Sequence, residues 1–81
     1  MANERKVSKL LETLPDRPAR ILKELHKADG KTVTIERLIR AIWGRSEKPW
    51  TADNQVRRHI LALRQEGLDI EVARNEGYRL Q

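Results

Sequence analysis

The chain of 81 residues has no cysteine and no phenylalanine, and its aromatic content stops at two tryptophans and one tyrosine. Without cysteine there is no disulfide, no thiolate metal site and no cysteine nucleophile. The two histidines, His26 and His59, stand far apart with no ligand-like spacing around them, so no structural zinc is expected. No apolar run is long enough to span a bilayer or to form a signal-peptide core. That predicts an intracellular, cytoplasmic chain without a membrane partner, nucleoid-associated if the source is prokaryotic. A glycine-rich phosphate loop and a nucleophile–base set are also missing, and the acids are scattered among basic residues as on a solvated face. Enzymatic activity, a cofactor and a small-molecule substrate are therefore not expected. No repeat, low-complexity tract or linker points to a second domain.

Positive charge is what the chain has in excess. The net charge is +5 and the pI is about 10.1, a balance that favours a polyanionic partner. Its distribution is uneven. Residues 1–50 carry twelve basic and seven acidic side chains and hold the whole excess, whereas residues 51–81 carry five of each. Within residues 56–65, however, Arg57, Arg58 and Arg64 stand without a single acid.

Apolar spacing predicts four helices and a terminal hairpin. Val7, Leu10, Leu11 and Leu14 recur at helical period, giving a short segment over residues 1–14 that packs on the rest of the chain or on a second copy. Pro15 ends it. Asp16 is the expected N-cap of the next helix, with Pro18 in its first turn and Ile21, Leu22, Leu25 and Ala28 as its stripe up to Gly30. Lys31-Thr32-Val33-Thr34 is short and β-branched and adds one small strand. Thr34 caps a third helix with Ile35, Leu38, Ile39, Ile42 and Trp43 on one side, closed by Gly44. After a polar loop with Pro49 as breaker, helical period returns over residues 51–66, burying Ala52, Val56, Ile60 and Leu63. Trp43 is assigned to the core; Trp50 either covers the core edge at the start of this last helix, the favoured expectation, or marks a loop that touches a partner. Strand-like alternation in Ile70/Val72 and Tyr78/Leu80 brackets the turn Arg74-Asn75-Glu76-Gly77, where Asn and Gly accommodate positive φ.

A basic helix followed by an arginine-tipped ribbon is how a small domain reaches two parts of a duplex together: helix in the major groove, ribbon on the backbone or the adjacent minor groove. Three landmarks strengthen that expectation. Trp43-Gly44, then His59-Ile60-x-x-Leu63-Arg64, then residues 70–80 ending Gly77-Tyr78-Arg79-Leu80, resemble in order the winged helix-turn-helix DNA-binding domains of OmpR/PhoB-type response regulators. The resemblance covers roughly residues 14–81. It implies an α+β, mostly α fold: a three-helix core and a C-terminal β-hairpin wing over residues 15–81, preceded here by the extra helical segment 1–14. There are departures. That family usually opens with a small sheet, and its receiver domain has no counterpart in these residues, so phosphorylation of an attached receiver is not the expected switch. Where it commonly has Arg-Thr-Val-Asp-Val, this chain has Asn54-Gln55-Val56-Arg57-Arg58, and where it often places arginines, Leu61 and Ala62 stand.

Placing Ile60 at the centre of the buried face puts Thr51, Asn54, Arg58, Ala62 and Gln65 on the opposite, groove-facing side. Arg58 suits guanine O6/N7, and Asn54 or Gln55 suits adenine N6/N7. Arg57 and Arg64 lie nearer the flank, suited to phosphate or an internal ion pair. His59 lies to one side, suited to packing or phosphate, and His26 is an ordinary exposed helix residue. Arg74 matches a wing arginine that the family uses on DNA, with Asn75 beside it, and Arg79 points outward where phosphate or water meets it. The expected function is sequence-specific binding of double-stranded DNA by a small transcriptional regulator, with dimerisation or tandem sites supplying affinity. The alternative is a winged-helix module docking on polymerase, another regulator or a phage or replication assembly without base readout. It draws on the neutral C-terminal part and on Leu61 and Ala62.

Overall fold

The computed structural model describes residues 2–73 and 77–81, with side chains from residue 4 onward. Its elements run α1 (Ala2–Thr13), α2 (Asp16–Lys27), β1 (Val33–Thr34), α3 (Ile35–Trp43), α4 (Ala52–Gln65), β2 (Ile70–Ala73) and β3 (Gly77–Leu80). Helices α2, α3 and α4 pack on one another, α1 covers α2, and the strands close the remaining side. This is the expected winged helix-turn-helix, with α1 in the place of an N-terminal sheet.

One core joins all of it. Ile21, Leu22 and Leu25 of α2, Leu38 of α3 and Val56, Ile60 and Leu63 of α4 are all essentially sealed from solvent. Val7 of α1 joins them at 1% exposure, while Leu10, Leu11 and Leu14 are partly buried against the same cluster. The helical segment at the start of the chain therefore finds its apolar partner within the same chain. A polar contact fixes it from the other side: the Lys6 ammonium donates to the Gly67 carbonyl at 3.1 Å, in the turn after α4.

Local chemistry sets the helix ends, with one departure from expectation. Thr34 caps α3 as its sequence predicts, accepting from the Arg37 N–H at 3.1 Å. At α2 the cap is Pro15, and Asp16 is already the first helical residue. Its carboxylate pairs one turn on with Arg20 at 3.0 Å, a spacing at which side chains on one helical face meet. Pro18 still sits in the first turn, where no intrahelical bond needs its missing N–H, and its ring is buried.

The strands form a three-stranded sheet in the order β1-β3-β2, antiparallel throughout. β3 is therefore the central strand, held by β2 on one side and by the short β1 on the other. Ile70, Tyr78 and Leu80 face the core. Val72, expected to share that burial with Ile70, is 59% exposed: β2 is an outer strand of the sheet, and at this level it is the paired Tyr78 of the central strand that is buried. Gly77 pairs with both Thr34 and Ala73, and a Cβ there would run into the Val33 carbonyl and the Thr34 backbone.

Two outcomes follow for stability. Val7→Ala should cost about 1–3 kcal/mol, because it empties a sealed site, and urea unfolding reads this directly. Gly77→Ala should cost a similar amount, about 1–3 kcal/mol from overpacking, by prising β1 from β3. An unchanged urea midpoint in either variant would contradict the packing described.

Candidate nucleic-acid interface

The rotation of α4 about its own axis decides which side chains face outward. Ala52, Val56, Ile60 and Leu63 are buried, and the centre of that set lies between Val56 and Leu63 rather than at Ile60. At about 100° per residue this turns the outward direction by roughly 45° from the one obtained by centring on Ile60. The exposed stripe opposite the core is consequently Asn54, Arg58, Leu61 and Gln65, at spacing i, i+4, i+7 and i+11. Asn54, Arg58 and Gln65 stand where expected. Ala62 is exposed but lies on the flank, and Thr51 is half-buried just before the helix. Leu61, left off the groove face by the sequence reading, is 55% exposed in the middle of the stripe. Averaging over all four buried positions rather than centring on one would have found it.

On one flank a cleft of about 380 Å³ opens between α2 and α4, lined by Arg17, Thr51, Asn54, Gln55, Arg58 and His59. Arg17 Nη1 donates to Gln55 Oε1 at 3.2 Å, and Gln55 Nε2 donates to Thr51 Oγ1 at 3.1 Å, so both ends of the Gln55 amide are engaged within the fold. The Arg17 guanidinium also lies 5.5 Å from the centroid of the Trp43 ring. Trp43, assigned to the core by its sequence, is thus half-buried at the core edge and carries a cation on its outer face. Burial lowers the His59 pKa from its ordinary value of 6.5, and the Arg17 charge lowers it further. Two guanidiniums and no carboxylate line this cleft, which suits an anion. Sequence spacing gave no sign of Arg17, because only the packing of α2 on α4 brings it there.

The opposite flank faces the hairpin. Arg57 is exposed and shares a shallow hollow with Ile35, Val72, Ala73, Gly77 and Tyr78. Arg64 turns back: its Nε donates to the Ile70 carbonyl at 3.0 Å, tying the end of α4 to the start of β2. Arg79 forms an ion pair with Glu71 directly across the hairpin, and Gln81 donates to the same carboxylate. Among the described residues, Arg57 and Arg58 are in no ion pair. Arg74 and Asn75 lie outside the described residues. In the loop between α3 and α4, Trp50 corrects its expectation. It is 93% exposed and covers nothing, because the stripe of α4 is already sealed by α2 and α3.

Residues 5–80 match the family described as "Transcriptional regulatory protein, C terminal". The chain belongs to that family. It is accordingly a DNA-binding regulatory domain of the OmpR/PhoB type, and the family is regulatory rather than enzymatic. No curated protein and no solved structure matches the chain. Among the described residues of this regulatory domain, no helix is long and apolar enough to cross a membrane.

The environment of His59 makes the domain's stability pH-dependent. Burial and Arg17 disfavour the imidazolium in the folded state, so the unfolded chain binds that proton more readily. The His59 contribution is therefore fully present above the ordinary value of 6.5 and declines as pH falls from there toward the lowered folded value. Urea unfolding compared at pH 7.5 and 5.5 (about one unit either side of 6.5) should show a smaller acid loss in His59→Gln than in the parent. An identical loss in both would contradict this account of His59.

Proposed function

We propose that the domain binds double-stranded DNA in a sequence-specific manner as a small transcriptional regulator, with α4 in the major groove and the β2–β3 hairpin as a wing on the backbone or the neighbouring minor groove. The observation that carries this reading is the outward stripe of α4, which is exposed and bears Arg58, with Arg57 beside it, neither in an ion pair among the described residues. It runs from Asn54 to Gln65 without an acidic residue. A helix about 10–12 Å across fits a major groove about 12 Å wide, so this face can approach base edges closely. Arg58 is assigned to guanine O6/N7, and Asn54 and Gln65 to adenine N6/N7.

The flanks then meet the sugar-phosphate backbone. Arg17, Thr51 and His59 take a phosphate in the cleft between α2 and α4, with Gln55 holding Arg17 in place. Arg57 meets the backbone beside the wing, and Arg74 and Asn75, which follow β2 in the sequence, are assigned to the same backbone. Arg64 and Arg79 serve the fold first, through Ile70 and Glu71. Affinity is supplemented by dimerisation or by tandem sites, as a single small module engages few base pairs. The cytoplasm is the compartment this function requires.

A second reading draws on Trp50. A tryptophan exposed to this degree in the loop before α4 suits a protein surface, so the domain would dock on a partner without reading bases.

Selection from randomised duplexes followed by titration at several salt concentrations separates the two. Base readout predicts one enriched sequence and a steep negative salt slope. Arg58→Ala should weaken that duplex by about 1–3 kcal/mol and relax preference at one base pair. Arg17→Ala and Arg74→Ala should weaken all duplexes alike and each lower the salt slope by about one. Unchanged binding in all three variants, with the fold intact by circular dichroism, would favour the docking reading.

A further inference from the structure

We infer that Leu61 reads the C5-methyl group of a thymine, so that the site this domain recognises carries a thymine at a fixed position beside the base pair read by Arg58. The inference rests on the DNA-reading function proposed above and names the chemistry of its target.

Leu61 is 55% exposed at the centre of the stripe that α4 turns outward, between Arg58 one turn before it and Gln65 one turn after. It contributes nothing to the core, which Ile60 and Leu63 fill from the other side of the helix. A large aliphatic side chain gains from being covered, and the identity of the cover is constrained by its neighbours. Arg57 and Arg58 stand beside it without ion pairs among the described residues, and no acid occurs on α4 after Asp53. An apolar protein surface closing over Leu61 would have to desolvate those guanidiniums without compensation. The major groove compensates them with guanine acceptors and phosphates, and within it the apolar group on offer is the thymine methyl.

Geometry limits where that thymine can be. Arg58 and Leu61 are separated by three residues, a rise of about 4.5 Å along the helix, against about 3.4 Å per base pair. The methyl therefore belongs one or two base pairs from the Arg58 contact. Ala62, exposed on the flank with a single-carbon side chain, lets the helix lie close enough for van der Waals contact.

The experiment takes the duplex returned by selection and replaces each thymine in turn by deoxyuridine, which removes the methyl and leaves base pairing intact. Binding should weaken about three- to tenfold at one or two positions within two base pairs of the Arg58-dependent pair. Leu61→Ala, which keeps the core whole, should bind the thymine duplex that much more weakly and lose the distinction between thymine and deoxyuridine. Salt-dependent binding that ignores deoxyuridine everywhere would overturn the methyl contact and leave DNA binding standing. A deoxyuridine penalty that persists in Leu61→Ala would assign the methyl to another residue and overturn the role given to Leu61. A dimer in light scattering that Leu61→Ala dissolves would give this face to a second copy, and that also overturns it. Absence of any salt-dependent duplex binding would remove the DNA-reading function and this inference together.

Discussion

Everything the domain presents to a partner depends on the burial of one stripe of α4. Ala52, Val56, Ile60 and Leu63 are wedged against α2 and α3, and helix rotation is rigidly coupled to that fit because a turn of a few tens of degrees would bring His59 on one flank or Asp53 on the other toward the core. The apolar contact thus acts as an orienting device as well as a source of stability. It decides that Asn54, Arg58, Leu61 and Gln65 form the crest and that Ala62 does not.

The wing depends on a second, smaller constraint. β3 is held between β1 and β2, and its first residue lies so close to β1 that only glycine fits. The turn-side end of β3 is therefore pinned to the start of α3 through Val33 and Thr34, while Arg64 pins the far end of α4 to the start of β2 through the Ile70 carbonyl. Helices and strands are thus tied at both ends of the β2–β3 pair, so their relative placement is fixed before any partner arrives. Lys6 adds a third tie, from α1 to the turn that joins α4 to the strands.

A cationic surface is not uniformly available. Arg20, Arg37 and Arg79 are paired with Asp16, Glu24 and Glu71, and Arg64 is committed to backbone. Arg57 and Arg58 remain outside such pairs among the described residues, and Arg17 is oriented by Gln55 and Trp43 toward the cleft that Arg58 also lines. The total charge of +5 says nothing of this division. The division follows from which carboxylates the fold brings within reach of which guanidiniums.

The sequence by itself determined the four helices, the strands after them and most of the core, since periodic burial leaves its mark on every element long enough to repeat; it misplaced Trp43 and Val72, which lie at the core edge and in solvent, and gave no sign of the buried Leu68. The cap at Thr34 and the glycine that closes α3 were legible for the same reason: they are chosen by local backbone needs. Asn54, Arg58 and Gln65 could be placed on the outward face because any plausible rotation of α4 exposes them. Tertiary structure alone decided the rest. Leu61 entered the crest through a rotation set by four buried residues jointly, and Arg17 reached the cleft through the packing of two helices separated in sequence. Trp50 was left bare because α2 and α3 had already sealed the stripe it was expected to cover. Local signals specify what an element is; which of its faces stays accessible depends on what packs against it, and that is a property of the whole fold.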